Sequence, residues 1–211
     1  MLKKLLATTA VLAFVAAASA TVTFSWAYVD NDVTGITDFV VAPADFETAG
    51  YVTVDLIGTF DGEYWSTAYS LATANGFFNH PNGNGGEMAP DTNNFSFVGL
   101  TRFDSFYTGM NDYPNAEPGA GDATAAPGSP LQNTATVREM EWFDYPELDN
   151  TGTFTMARFT CMPEGTLELS GYATTVESGT EQFPFAFSIP VPEPASLALL
   201  GLGALALIRR R

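Results

Sequence analysis

The chain has 211 residues, of which 24 are acidic and eight are Lys or Arg, so its formal net charge at pH 7 is −16. This excess of negative charge argues against binding to the phosphates of DNA or RNA. The single cysteine, Cys161, excludes an intrachain disulfide, so stability must come from a hydrophobic core. We expect Cys161 to be a small buried residue; the alternative is a reactive or intermolecular thiol.

The first twenty residues have the order of a secretory signal peptide. Lys3 and Lys4 precede an apolar run over 5–18, and the small residues Ala18 and Ala20 close it. Cleavage after Ala20 would leave Thr21 first. Because residue 21 is not a cysteine, the sequence does not support the bacterial lipoprotein route. Residues 1–20 are therefore predicted to be a signal peptide that directs export.

Residues 21–190 are predicted to form one domain that is more acidic than the chain as a whole. Its basic residues are Arg102, Arg138 and Arg158, against 23 acidic residues, which gives a formal net charge of −20. Such a surface repels anionic membranes as well as nucleic acids. It favours solubility and invites divalent cations.

Alternating apolar and polar residues predict short β-strands throughout this domain. In the first strand, 21–29, the side chains of Val22, Phe24, Trp26 and Tyr28 share one face. In the strand at 51–60, apolar residues face one side, and polar residues that include Thr53, Asp55 and Thr59 face the other. Further strands are predicted at 36–41, 63–71, 95–100, 134–143, 153–160, 166–176 and 183–189.

Helical periodicity is nearly absent, and only Pro43–Ala49, before Gly50, is predicted to form a short helix. Without long helical crossovers the sheets should be antiparallel, with turns at Asp61-Gly62 and Glu164-Gly165 joining neighbouring strands. Pro184 should place the last strand at a sheet edge. The predicted fold is all-β: a single antiparallel β-sandwich, jelly-roll-like, flanked by the signal helix and a C-terminal hydrophobic helix.

Two loops are unusually long for a compact domain, at 79–94 and 109–133, and loops of this length tend to be functional or disordered. We interpret the second as a disordered insertion within one domain. His80, the only histidine, lies in the first loop and is interpreted as a solvated residue. A Ser-His-Asp triad and a zinc site therefore have little support.

Calcium is the candidate cofactor. Asp30, Asp32, Thr34 and Asp38 place oxygen atoms at positions 1, 3, 5 and 9 of an EF-hand-like count, with Gly35 at position 6. The twelfth position is a valine, so the bidentate carboxylate that closes such a site is missing. The alternative interpretation is a polar turn between two strands.

Exposed aromatic rings would allow carbohydrate binding. Trp65 and Trp142 each have an aromatic neighbour in a predicted strand, so one ring of each pair points away from the core. The alternative is that all these rings fill the core, because the chain is 13% aromatic. Carboxylate pairs for glycoside hydrolysis cannot be picked out among so many acids.

The C-terminal segment, 191–211, has three parts. Pro192, Glu193 and Pro194 predict an exposed, extended peptide over 191–194. An apolar run follows over 195–208 and spans roughly 21 Å as a helix, which is shorter than a hydrocarbon core of about 30 Å. By the positive-inside rule Arg209, Arg210 and Arg211 stay in the cytoplasm and act as a membrane stop.

At these residues the chain resembles PEP-CTERM proteins, whose C-terminal tag is recognised by an exosortase, a membrane-embedded transpeptidase-like protease. The resemblance covers 191–211 only and implies a transient inner-membrane intermediate in a Gram-negative-type bacterium. It further implies tail removal near Pro-Glu-Pro and release to the cell surface or an exopolysaccharide matrix. An ordinary membrane anchor is the alternative. We predict a non-enzymatic surface or matrix protein; the alternatives are a secreted carbohydrate-binding module and a secreted hydrolase.

Overall fold

The computed structural model describes residues 21–61, 68–81, 96–107, 124–125, 132–143, 152–175 and 181–193. Within these ranges the chain forms ten β-strands, which confirms the all-β prediction. Their bounds are β1 Val22–Val29, β2 Val52–Phe60, β3 Ala68–Thr73, β4 Phe106–Tyr107, β5 Thr124–Ala125, β6 Gln132–Asn133, β7 Val137–Phe143, β8 Gly152–Cys161, β9 Thr166–Ala173 and β10 Phe183–Pro190.

The strands form two sheets in which every recorded pairing is antiparallel. The first sheet has the order β1-β2-β8-β4, and the second has the order β10-β9-β3-β7-β5, with β6 also paired to β7. Strand β10 lies at an edge, as Pro184 predicts. The jelly-roll connectivity stays a prediction, and the two flanking helices lie outside the described residues.

One apolar core is shared by both sheets. The first sheet contributes Leu56 and Phe159, and the second contributes Met140, Leu169 and Ile189, all at most 1% exposed. The inward-facing side chains of β1 pack against this core, except at the end of the strand. Tyr28, predicted on the same face, is 46% exposed. Cys161 is fully buried in this core, and burial raises the pKa of its thiol to about 12.

The predicted turns at Asp61-Gly62 and Glu164-Gly165 do not join neighbouring strands of one sheet. Strands β2 and β8 precede them in the first sheet, and β3 and β9 follow in the second. The second turn reverses sharply, because Glu164 and Gly165 both have positive φ, 75° and 90°. Each connection joins strands that are consecutive in the chain, as predicted, but it crosses from one sheet to the other.

The predicted strands at 36–41 and 95–100 were also wrong. These segments meet in a single antiparallel bridge between Asp38 and Val98, and the second continues into a 3₁₀ helix, Gly99–Phe103. The predicted helix is confirmed as α1, Pro43–Ala49, and Gly50 ends it in the left-handed conformation at φ 67°. We call 30–50 together with 96–105 the outer layer.

The outer layer has a small core of its own. Phe46 of α1 stacks on Phe103 of the 3₁₀ helix, with ring centroids 5.2 Å apart, and meets Phe78 edge to face at 4.9 Å. Leu100 is fully buried beside them. The layer contacts the first sheet through the backbone oxygen of Arg102, which accepts a hydrogen bond of 2.8 Å from Arg158 of β8. A third layer therefore covers part of the first sheet.

The long loops differ in part from their prediction. Strands β5 and β6 lie inside the predicted loop 109–133, and both pair with β7. The segment 79–81 is the described beginning of the loop 79–94. The remaining residues of both loops lie outside the described ranges.

Candidate functional site: the sorting junction and the Tyr28 cleft

Strand β10 carries the body of the protein to the beginning of the Pro-Glu-Pro segment. It pairs with β9 along its whole length, from Phe183 opposite Ala173 to Pro190 opposite Thr166. The pairing continues one residue further, because the Val191 N–H donates a hydrogen bond of 3.0 Å to the Gly165 carbonyl. The folded sheet therefore ends immediately before Pro192.

Val191 was predicted to belong to an exposed, rod-like peptide, and this was wrong. Its side chain is only 4% exposed and belongs to the main apolar core. Burial of a valine side chain and one backbone hydrogen bond fix it to the body. Pro192 is partly buried and Glu193 is exposed, so the segment emerges within two residues. Pro194 lies outside the described residues.

Tyr28, at the far end of β1, ties the first sheet to the end of β10. Its hydroxyl donates a hydrogen bond of 2.5 Å to the Pro190 carbonyl. Its ring meets Trp26 edge to face, with centroids 5.2 Å apart. The phenol is thus held at both ends, and burial raises its pKa above the ordinary value. Close to half of the side chain still faces solvent.

A cleft of about 410 Å³ opens beside this tether, and we call it the Tyr28 cleft. Its lining includes residues from β1, from the turn that follows, from the start of β2 and from the sorting segment. These are Tyr28, Val29, Asp30, Asn31, Asp32, Tyr51, Val52 and Pro192. The cleft therefore brings together two tyrosines, an asparagine and two aspartates at the point where the sorting segment leaves the fold.

Asn31 is fixed in the cleft wall by a hydrogen bond of 2.7 Å from its Nδ2 to the Tyr51 carbonyl. Its Oδ1 is buried and has no hydrogen-bond partner among the described residues. Asp32 is exposed and closes a local turn, in which its Oδ1 accepts the Thr34 N–H at 2.8 Å. Hydrogen bonds from the Thr34 side chain and backbone lower the pKa of Asp32.

Asp38, predicted to be the fourth calcium ligand, is engaged elsewhere. Its Oδ1 accepts the N–H groups of Val40 and Val41 at 2.9 and 2.8 Å, and its Oδ2 accepts that of Leu100 at 3.0 Å. His80 Nε2 lies 3.0 Å from the same Oδ2. Burial opposes ionisation of this carboxyl group, but the hydrogen bonds outweigh burial and lower its pKa. Asp38 therefore holds the outer layer together.

The structure brings Asp30 and Asp32 to one cleft and turns Asp38 inward. Among the described residues, no three His, Cys, Asp or Glu side chains are grouped so that they could hold a metal ion. Calcium binding through Asp30, Asp32 and Thr34 stays a prediction. It would have to proceed without Asp38, because the oxygen atoms of that carboxylate already accept four hydrogen bonds or close polar contacts.

His80 was predicted to be a solvated loop residue, and this was wrong, because it is 2% exposed. Its backbone N–H donates to Asp104 Oδ1 at 3.1 Å, and the Ser105 N–H donates to the same atom at 3.0 Å. Burial raises the pKa of Asp104 to about 6, against the lowering effect of these hydrogen bonds and of Arg138. The buried polar group of His80, Asp38 and Asp104 links the outer layer to the rest of the molecule.

The other predicted site residues lie largely outside this region. Trp65 is outside the described residues, and Trp142 lies in β7, where its backbone is opposite Ala68. Carbohydrate binding by these two residues stays a prediction. Ala18, Ala20 and Arg209 to Arg211 are also outside the described residues. Among the helices in the described part of the chain, none has the length and apolar character needed to cross a membrane.

The sequence did not single out the Tyr28 cleft or the His80 group. Tyr28 was interpreted as a core-facing ring, and no role was predicted for Asn31 or Tyr51. The one available signal was the aromatic pair Phe77-Phe78 two residues before the only histidine, which favours a buried position for His80.

The fold and the junction define an all-β protein whose last strand runs directly into a C-terminal sorting segment. That segment, residues 190–211, matches the family model of the PEP-CTERM protein-sorting motif, which confirms the resemblance seen in the sequence. The motif supports an exported protein that is processed by exosortase, a membrane protein. No curated protein matches the chain.

Proposed function

We propose that the chain is a non-enzymatic protein of the cell surface or extracellular matrix that associates with exopolysaccharide after export. The observation that carries the proposal is the sorting motif at 190–211, which begins at the last residue of an ordered edge strand. The acidic composition of the body and its all-β architecture are compatible with a soluble product outside the membrane.

In this proposal residues 1–20 direct export, and the apolar run 195–208 holds the chain in the inner membrane for a time. Arg209 to Arg211 stop translocation at the cytoplasmic side. The body folds outside, and β10 holds Pro190 and Val191 in the sheet. Exosortase then receives a segment that begins at Pro192, and tail removal releases the body to the surface of a Gram-negative-type bacterium.

The test is to express the full chain in an exosortase-bearing host and to measure the intact mass of the product in cell and medium fractions. The wild type should begin at Thr21, end near Pro194 and leave the membrane. A Pro192→Ala/Glu193→Ala/Pro194→Ala variant should stay in the membrane and keep Arg211. Glu47→Ala, which removes an exposed carboxylate on α1, is the control and should be processed as the wild type is.

If the wild type and the triple variant both keep Arg211 and remain in the membrane, the segment is an ordinary anchor, and the proposal fails. If tail removal occurs but no product is found with the extracellular polysaccharide fraction, the sorting part stands and the matrix association is refuted.

A further inference from the structure

The Tyr28 cleft has the size and lining of a small-ligand site. Its volume of about 410 Å³ lies in the range of about 300 to 1,000 Å³ that ligand pockets occupy. Tyr28, Val29 and Val52 line it together with a few polar residues, and a mostly apolar lining with a few polar groups is the usual composition of such a site. This composition differs from the main core, where buried side chains pack against one another and leave no open face.

The ring of Tyr28 is preorganised for a ligand to stack on it. It is 46% exposed, yet Trp26 supports it at one end and the hydrogen bond to Pro190 holds its hydroxyl. A ring that is already fixed loses little rotamer freedom when a ligand stacks on it, so more of the contact energy appears as affinity. An exposed ring face of this kind can pack against the C–H groups on one side of a sugar ring.

The polar groups of the cleft are acceptors. Asp30 and Asp32 are both exposed and supply carboxyl oxygens. The cleft therefore favours a ligand that has several hydrogen-bond donors and no negative charge.

We propose that the Tyr28 cleft binds a saccharide whose residues are uncharged or positively charged, with one pyranose ring stacked on Tyr28. Its hydroxyl or amino groups donate to the carboxyl oxygens of Asp30 and Asp32. Acidic saccharides are rejected, because they would meet two carboxyl groups and a body with a formal net charge of −20. The inference deepens the proposed function and rests on it only for the biological source of the glycan.

The experiment measures binding of three hexasaccharides by titration calorimetry to the full chain in a zwitterionic detergent that contains no sugar. The probes are hexamers of glucosamine, N-acetylglucosamine and galacturonic acid. We expect the first two to bind the wild type and the third not to bind. Tyr28→Ala should weaken binding of the glucosamine hexamer by about tenfold, and Tyr28→Phe, which keeps the ring, by no more than about threefold.

Two further variants keep the test valid if Tyr28→Ala fails to fold. Phe39→Ala removes a ring that is 79% exposed and is not part of the cleft lining, so it should bind as the wild type does. Asp30→Lys leaves Tyr28 in place and should weaken binding of the glucosamine hexamer while admitting the galacturonate hexamer. Thermal unfolding of each variant shows whether it is folded.

The inference is overturned if no probe binds, if the galacturonate hexamer binds the wild type best, or if a folded Tyr28→Ala chain binds as the wild type does. If the tail is removed normally but no saccharide binds, saccharide binding at the Tyr28 cleft is refuted and the proposed function stands. Binding that depends on Tyr28 in a chain whose tail is never cut supports the cleft while the sorting proposal fails.

Discussion

The two faces of the β2–β8 pair are both buried, but by different means. On the face toward the second sheet, Leu56 and Phe159 join the main apolar core. On the opposite face, Asp55 and Arg158 form an ion pair with two N–O distances of 2.7 Å, only 8% and 7% exposed as residues. The outer layer covers this second face.

The difference shows that alternation of apolar and polar residues along a strand indicates the polarity of each face and not its exposure to solvent. Thr53 and Asp55 alternate with apolar residues, as in a strand with one face in water, yet Thr53 is fully buried. Its hydroxyl is 2.7 Å from that of Thr160 on the neighbouring strand. Polar groups can be buried here because each finds a partner across the sheet or in the outer layer.

The largest loss of stability should come from a substitution on the apolar face. Phe159→Ala removes a fully buried ring that packs on Tyr107 with centroids 5.6 Å apart. We expect the free energy of unfolding to fall by about 4 kcal/mol, because a cavity remains in a core held by both sheets. Urea unfolding of the purified chain measures this loss. The matched surface change Phe39→Ala should cost no more than about 0.5 kcal/mol. Similar losses for the two variants would mean that the Phe159 ring is not buried in the shared core.

The second-largest loss of stability should come from a substitution on the polar face. Arg158→Met leaves the Asp55 carboxylate buried without its ion-pair partner, and we expect a loss of about 3 kcal/mol in the free energy of unfolding. The double variant Arg158→Met/Asp55→Leu should recover most of it, because the unpaired charge is then gone. If the double variant is as unstable as the single one, packing of the Arg158 side chain on Phe106 matters more than the charge.

The same contrast explains what could be predicted from the sequence. Strands β2, β8, β9 and β10 follow from local alternation, and the sorting motif is a contiguous pattern, so both were found. The segment 36–41 has the β-branched residues of a strand, but Asp38 binds three backbone N–H groups and fixes a turn instead. The Tyr28 cleft combines residues from β1, β2 and the end of β10, and no local pattern records that they meet.

The smallest effect concerns the boundary between the outer layer and the main body, and it depends on pH. The folded pKa of Asp104 is about 6, against 3.8 for an unperturbed carboxyl group, because burial disfavours its charged form. The native state therefore binds more protons than the unfolded state between these values. The stability that the protonated form contributes is complete below pH 3.8 and is lost as the pH rises through about 6.

Asp104→Asn keeps an oxygen atom for the His80 and Ser105 N–H groups and removes the charge. Its free energy of unfolding relative to the wild type should rise between pH 4.5 and 7.5, by about 2 kcal/mol. Urea midpoints at four pH values in this range measure the difference. Asp32→Asn is the control: the pKa of Asp32 is lowered, so its stabilising contribution is lost only at more acidic pH, and the difference from the wild type should be flat. A flat difference for Asp104→Asn would instead mean that water reaches the carboxyl group and that the outer layer does not seal this boundary.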